Sequence, residues 1–241
     1  MSDQLAEHRA RWRAKPVLRA IYEDCYRRII ARCAPGGRTL EIGGGTGNLK
    51  DFLAGILSAD IQFAPWLDLV ADAHRLPVAA ASIRNLVLFD VLHHLERPRM
   101  FLAEAARVLE PGGRVVACEP AITPLSFPFY RLFHHEPVRL SEDPLADGAL
   151  SSNRDPYASN QAIPTRLFGR ERARLEALVP ALKLLSCERF ALLAYPLSGG
   201  FQRWSALPAP LAPPLLRLER RLEPRLGPLM GFRLLGVLER R

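Results

Sequence analysis

Closely spaced cysteines are missing from this 241-residue chain, and so is nearly all of the lysine. The four cysteines, Cys25, Cys33, Cys118 and Cys187, are scattered and no CxxC occurs, so the spacing implies neither a zinc site nor a disulfide framework. A reduced, cytoplasmic protein is the expectation. No apolar run reaches the roughly 18 residues that span a bilayer, and the first fifteen residues hold no apolar segment of the kind a secretory signal needs. Lysine is confined to Lys15, Lys50 and Lys183, so arginine carries most of the net charge of +8. Such a charge invites nucleic acid or an anionic membrane as partner. However, no block of consecutive basic residues is interleaved with aromatics, and the arginine bias looks more like base composition than selection for phosphate. Nucleic acid is therefore not expected.

What is present is apolar material, 49% of the residues, enough for a sizeable core. Residues 8–34 carry Trp12, Val17, Ile21, Tyr22, Tyr26, Ile29 and Ile30 near one helical stripe. "TLEI" reads as a buried strand, and "GNLKDFLAGI" as a brief helix. Residues 56–61, 67–71 and the run "IRNLVLFDVLHHL", ending near Asp90, read as three more strands. "PRMFLAEAARVL" is an amphipathic helix stopped by "PGG", and "RVVACEP" is a fifth strand. A helix over 165–182, a strand over 184–193, a basic helix "LLRLERRLEPRLG" and a final strand "GFRLLGVLER" follow. The alternation predicts an α/β fold: a doubly wound, mostly parallel, seven-stranded sheet of Rossmann-like type. Four stretches result: a helical cover (1–38), a core (39–120), an insertion (121–163) and the C-terminal half of the sheet (164–241). The insertion is too long for a plain connection and is read as a lid over the ligand edge.

The glycines of "EIGGGTGN" follow the first strand, where positive φ and close backbone approach are useful. The spacing is E-x-G-x-G-x-G. It matches neither the phosphate loop GxxxxGK[ST] nor the dinucleotide fingerprint GxGxxG, since Asn48 stands at the last glycine position. That disfavours a nicotinamide oxidoreductase. Asp60, Asp72 and Asp90 close successive strands and, with Glu41, make an acidic edge. Such an edge suits a cationic or hydroxyl-rich ligand, and Asp60 could accept from a ribose diol.

From Thr39 to Pro120 five segments stand in order: the glycine loop, the acid after strand two, "ADAHRLP", "DVLHHL" and "RVLEPGG". Together they resemble the class I S-adenosylmethionine-dependent methyltransferases, of the small-molecule type called type 11. The resemblance implies S-adenosyl-L-methionine as cofactor and an antiparallel last strand. It assigns Glu41, Gly43, Gly45 and Gly47 to the methionine moiety and Asp60 to the ribose. Ile61 would pack on adenine, Asp72 and Ala73 would read its edge, and Asp90 and Leu92 would lie below the methionine part. Only 13 positions separate Gly47 from Asp60, so the first helix must be truncated. The helix after strand two is replaced by "QFAPWLD", where Trp66 either covers the adenine face or packs in the core.

Methyl transfer to oxygen needs a proton acceptor. Histidines come as His93–His94 after strand four and as His134–His135, followed by Glu136, in the insertion. His134, His135, Glu136 and His93 are the catalytic candidates; a helix-end hydrogen-bonded cluster is the rival reading, and no convincing third residue completes a metal site. Aromatic Phe127, Phe129, Tyr130 and Phe133 point to a ring-bearing or lipid-like small molecule as acceptor, methylated at oxygen. The alternative is a non-catalytic adenosyl-binding regulatory module. The basic C-terminal helix could lie on an anionic membrane, but packing of its leucine face on the sheet is the favoured expectation.

Overall fold

A computed structural model describes residues 3–241; residues 1 and 2 of the predicted helical cover lie outside it. The strands are β1 (Thr39–Ile42), β2 (Leu57–Asp60), β3 (Leu69–Val70), β4 (Ile83–Phe89), β5 (Leu109–Pro120), β6 (Leu182–Phe190) and β7 (Arg233–Arg240). They form one seven-stranded sheet in the order β3-β2-β1-β4-β5-β7-β6. The pairings β1–β2, β1–β4, β2–β3 and β4–β5 are parallel, whereas β7 runs antiparallel to both β5 and β6. The predicted fold is thus observed, antiparallel last strand included. The direction of winding reverses between β1 and β4, so the crevice beyond their carboxyl ends is the natural ligand position. Both faces of the sheet are covered, which is why β4 reads as a continuous apolar run, with Leu86, Val87 and Leu88 fully buried.

The helical cover is two helices, α1 (Asp3–Ala14) and α2 (Pro16–Arg32), rather than one. Pro16 sits at the first position of α2 and forces Lys15 into an extended conformation, φ −115° and ψ 91°. α2 buries Leu18, Ile21, Cys25 and Ile29 against the sheet face that also carries Val87, Val116 and Val237. The opposite face carries α3 (Pro98–Val108), whose Phe101, Leu102, Ala105 and Val108 recur at helical spacing and are buried. The helix expected over 165–182 is broken into α5 (Ile163–Leu167) and α6 (Arg172–Leu178), with Gly169 in the gap. A glycine there weakens helix continuation by about 1 kcal/mol.

As the short spacing requires, β1 leads only to a 3-10 turn at Asn48–Asp51, and no helix joins β2 to β3. In the insertion the only α-helix is α4 (Ser126–Phe133), whose start is locked by Thr123 and Ser126 bonding to each other. The rest is irregular and is pinned across the crevice at fixed points. Asn160 donates its backbone N–H to the His93 carbonyl (2.8 Å), Arg154 pairs with Asp72, and the Tyr157 hydroxyl reaches Gln62 Oε1 (3.2 Å).

After α7 (Ala194–Ser198) comes α8 (Ala212–Met230), which corrects one expectation. Its leucine face does not cover the sheet. Leu216, Glu219, Glu223 and Gly227 point inward, while Leu218, Leu222 and Leu229 are exposed. The reason is polar. The chain leaving β6 presents backbone N–H groups of Leu192, Leu193 and Ala194, and the buried Glu219 carboxylate accepts all three, at 3.0, 2.7 and 2.6 Å. Buried donors must be paired, so the carboxylates take the inner face and the leucines turn out.

Candidate active site

Beyond the carboxyl ends of β1, β2 and β4 lies a cavity of about 1650 Å³. One half is lined by strand-end residues, the other by α4 and the insertion. In the first half the glycine loop leaves β1 with Gly43 at φ +67° and Gly45 at φ +46°. A Cβ on Gly43 would collide with Val91, whereas one on Gly45 would find only Gly43 O and Leu5 Cδ2, at 3.7 and 3.9 Å. Gly45 therefore presents bare backbone to the cavity. Its N–H donates to Asp60 Oδ2 (3.0 Å), and Trp66 Nε1–H donates to its carbonyl (2.8 Å). Trp66 thus braces the loop, with the Arg9 guanidinium 4.3 Å above its ring, rather than standing in the cavity wall.

Glu41 is buried beneath the loop and accepts the Ser58 hydroxyl. Burial pushes its pKa up to about 7; the Ser58 bond opposes the shift and the Asp60 charge adds to it. Asp60 holds two backbone N–H groups, of Gly45 and of Gln62 (2.9 Å), one on each oxygen. A carboxylate offers about four acceptor positions, so two stay open. Asp72 accepts the His74 N–H (3.0 Å) and His74 Nδ1–H (2.7 Å) on Oδ1 and Arg154 on Oδ2. Burial alone would raise its carboxyl, but Arg154 and His74 hold it far below the usual range. Asp90 closes β4 at φ +58°, a left-handed conformation uncommon for aspartate. It is paired with Arg233, which is fully buried between the rings of Phe89 and Tyr195.

Ile61 and Ala73 also line the cavity; Gly47 and Leu92 do not. Gly47 turns against Trp66, and Leu92 is buried, its N–H donated to Glu119 Oε1 at 2.7 Å.

In the second half the four catalytic candidates meet. His93 is sandwiched: Nδ1 lies 2.7 Å from Glu119 Oε2 and Nε2 lies 3.3 Å from Glu136 Oε2. Burial works against its charge, but the two carboxylates override it and raise its pKa to about 10. At neutral pH it is an imidazolium with both nitrogens donating. Glu136 is correspondingly held down, to about 2, by His93 in spite of burial. It also accepts the Gln161 amide. His134 Nδ1 accepts the Glu136 backbone N–H (3.3 Å), which leaves its ring proton on Nε2. His135 is mostly exposed and stacks on His134.

His94 differs from all of these. Its Nδ1 faces the Ala158 carbonyl at 3.2 Å, and a carbonyl only accepts, so the proton sits on Nδ1. Burial first, then the His93 charge, lower its pKa, so it is neutral at pH 7. Its Nε2 lone pair faces Glu136 Oε1 at 3.6 Å. Two acceptors thus stand opposite each other. Ligand-type atoms of His93, His94 and Glu136 all lie within 4.8 Å of one another, as do those of Asp90, His93 and Glu119, so the fold supplies the third residue that spacing alone did not.

Sequence reasoning missed Arg154, Arg233 and Gln161. Each meets its partner across more than 20 positions of chain, and no local spacing announces such a contact.

A family model described as a methyltransferase domain matches residues 40–117. The chain is 31% identical over 170 residues to the demethylmenaquinone methyltransferase of Streptomyces avermitilis, covering 62% of this chain and 72% of that protein. Two further demethylmenaquinone methyltransferases are covered over 47% and 46% of their length. A malonyl-[acyl-carrier protein] O-methyltransferase of Hahella chejuensis is 38% identical over 89 residues, 34% of this chain and 31% of that protein. Among solved structures, a SAM-dependent methyltransferase from Thermotoga maritima shares the fold with a TM-score of 0.53 at 14% identity, over 96% of this chain and 93% of that one. The cofactor of such proteins, S-adenosylmethionine, fits the residues present: bare backbone at Gly45 and open acceptor positions on Asp60 suit an adenosyl group with a vicinal diol. The chain belongs to the class I S-adenosylmethionine-dependent methyltransferases.

Proposed function

We propose that the enzyme methylates a hydroxyl oxygen of a small, ring-bearing or lipid-like acceptor, with His94 taking the proton. The observation that carries this reading is the cavity. At about 1650 Å³ it exceeds the roughly 300–1,000 Å³ of a one-ligand site, and its second half is walled by Phe129, Tyr130, Phe133 and the histidine cluster. In the first half, Glu41, Gly43 and Gly45 would hold the methionine end, Asp60 the ribose hydroxyls, Ile61 the adenine face, and Asp72 with Ala73 its edge. Asp90 would lie below the methionine part. S-adenosylmethionine supplies a methyl group already activated on sulfur.

The protein's task is alignment and proton removal. A hydroxyl approaching the His94–Glu136 pair would donate its single proton to His94 Nε2, with the Glu136 carboxylate alongside. His94 Nε2 would take the hydroxyl's proton as the oxygen is methylated, the demethylated cofactor being the other product. The new imidazolium then faces the ionised Glu136, which stabilises it. His93, already protonated, orients Glu136; Glu119, which holds His93, is a positioning residue. The names of two relatives, a demethylmenaquinone methyltransferase and a malonyl-carrier O-methyltransferase, support acceptors that are small or lipid-like.

The test is incubation with S-adenosylmethionine and a panel of phenols, naphthols and quinols, following the demethylated cofactor and the mass and site of product methylation. His94→Gln should lower kcat by about 10²–10⁴ while cofactor affinity holds. Methyl found on carbon or nitrogen, or full activity in the variant, would overturn the reading.

A further inference from the structure

The outward face of α8 carries a pattern that the fold does not use. Leu211, just before the helix, and Leu218, Leu222 and Leu229 follow one another at steps of seven, four and seven residues, which puts them on one stripe. They are 53%, 51%, 38% and 48% exposed. Arg217, Arg221 and Arg225, each four residues from the next, run beside that stripe and are exposed. Among the described residues none of the three has a carboxylate within ion-pair reach, whereas their neighbour Arg220 turns inward to Asp24. The result is an apolar ridge about 28 Å long bordered by a row of free positive charge.

The ridge does not end with α8. The Leu125 N–H donates to the Leu229 carbonyl (3.1 Å), joining the start of α4 to the last turn of α8. Leu125 is 50% exposed, and further along α4 Leu132 and Phe133 are 74% and 76% exposed. Phe133 also lines the cavity mouth. An uncovered apolar path therefore leads from the arginine-edged ridge to the acceptor half of the site.

We propose that α8 and α4 form a docking face for an anionic lipid membrane, with the leucines entering the interface and the arginines meeting lipid phosphates. Charge decides the occupant. A second copy of this chain, itself +8, would bring its own arginines to the seam, while anionic headgroups complement the row and apolar acyl chains accept the leucines. The inner face of α8 is held by Glu219 and Glu223, so the helix lies on the bilayer as part of the folded domain and does not insert alone. This inference rests on the exposed face and not on the acceptor: a water-soluble acceptor would leave it intact.

Co-sedimentation of the full chain with vesicles of phosphatidylcholine, alone or mixed with phosphatidylglycerol, tests it. The chain is expected to pellet with the mixed vesicles at low salt and to be released as salt rises. R217Q, R221Q and R225Q together should weaken partitioning by roughly fivefold per arginine. L218S with L222S should weaken it by at least about tenfold. Unchanged affinity for the demethylated cofactor would certify that both variants are folded. A chain that stays in solution with the mixed vesicles overturns the proposal, as do variants that pellet like the parent. A dimer seen by light scattering, dissociated by the leucine changes and indifferent to lipid, would assign the face to a second copy instead.

Discussion

At the scale of single residues, the acidic edge was readable because its members stand at strand ends, where alternation of strand and turn fixes position. Glu41, Asp60, Asp72 and Asp90 all reach the cavity as expected. Their states were not readable. Asp72 is tied to Arg154 from 82 positions away and Asp90 to Arg233 from 143 away, and pairing at that range leaves no trace in spacing. The histidines make the same point. Sequence offers four in two pairs, but only the Ala158 carbonyl reveals that His94 keeps a bare Nε2. Glu41 yields a pH prediction. Its folded pKa of about 7 lies above the ordinary 4.5, so between those values the folded chain holds the proton more firmly than the unfolded chain. Stability from this group is therefore present at low pH and lost as pH rises through about 7. Glu41→Gln should melt higher than the parent at about pH 8, the gap closing near pH 5. A gap that does not vary with pH would contradict the assignment.

At the scale of elements, periodicity located α3 and every strand, and failed where a local breaker or a distant donor intervened. Pro16 divides the N-terminal helix and Gly169 lies where the later one breaks, both breakers visible as residues but outweighed by the apolar stripe. The face of α8 was misjudged for a different reason. A leucine count rewards burial, but the unpaired N–H groups after β6 demand carboxylates, and that demand is invisible until β6 and α8 are adjacent. Glu219→Ala would leave three buried N–H groups unpaired, each costing about 1–3 kcal/mol. A loss of at least about 3 kcal/mol in chemical denaturation is expected. A loss below about 1 kcal/mol would mean that water replaces the carboxylate and that α8 is not fixed by it.

At the scale of the whole molecule, the sheet divides labour along one crevice. The parallel strands end in a loop of bare backbone and a row of carboxylates; the insertion closes the other side with aromatic rings and a charged histidine cluster. Fold and cofactor were legible from residues 39–120 because that third of the chain is local in sequence as well as in space. The acceptor side was not, because residues 121–163 take their shape from contacts with the strand ends rather than from any period of their own. The most direct measurement is a crystal structure with the demethylated cofactor bound. Its ribose hydroxyls are expected on Asp60, its methionine end against Gly45, and its sulfur turned toward the space beside His94 and Glu136. A nucleoside bound away from Asp60, or a sulfur facing away from that space, would contradict this placement.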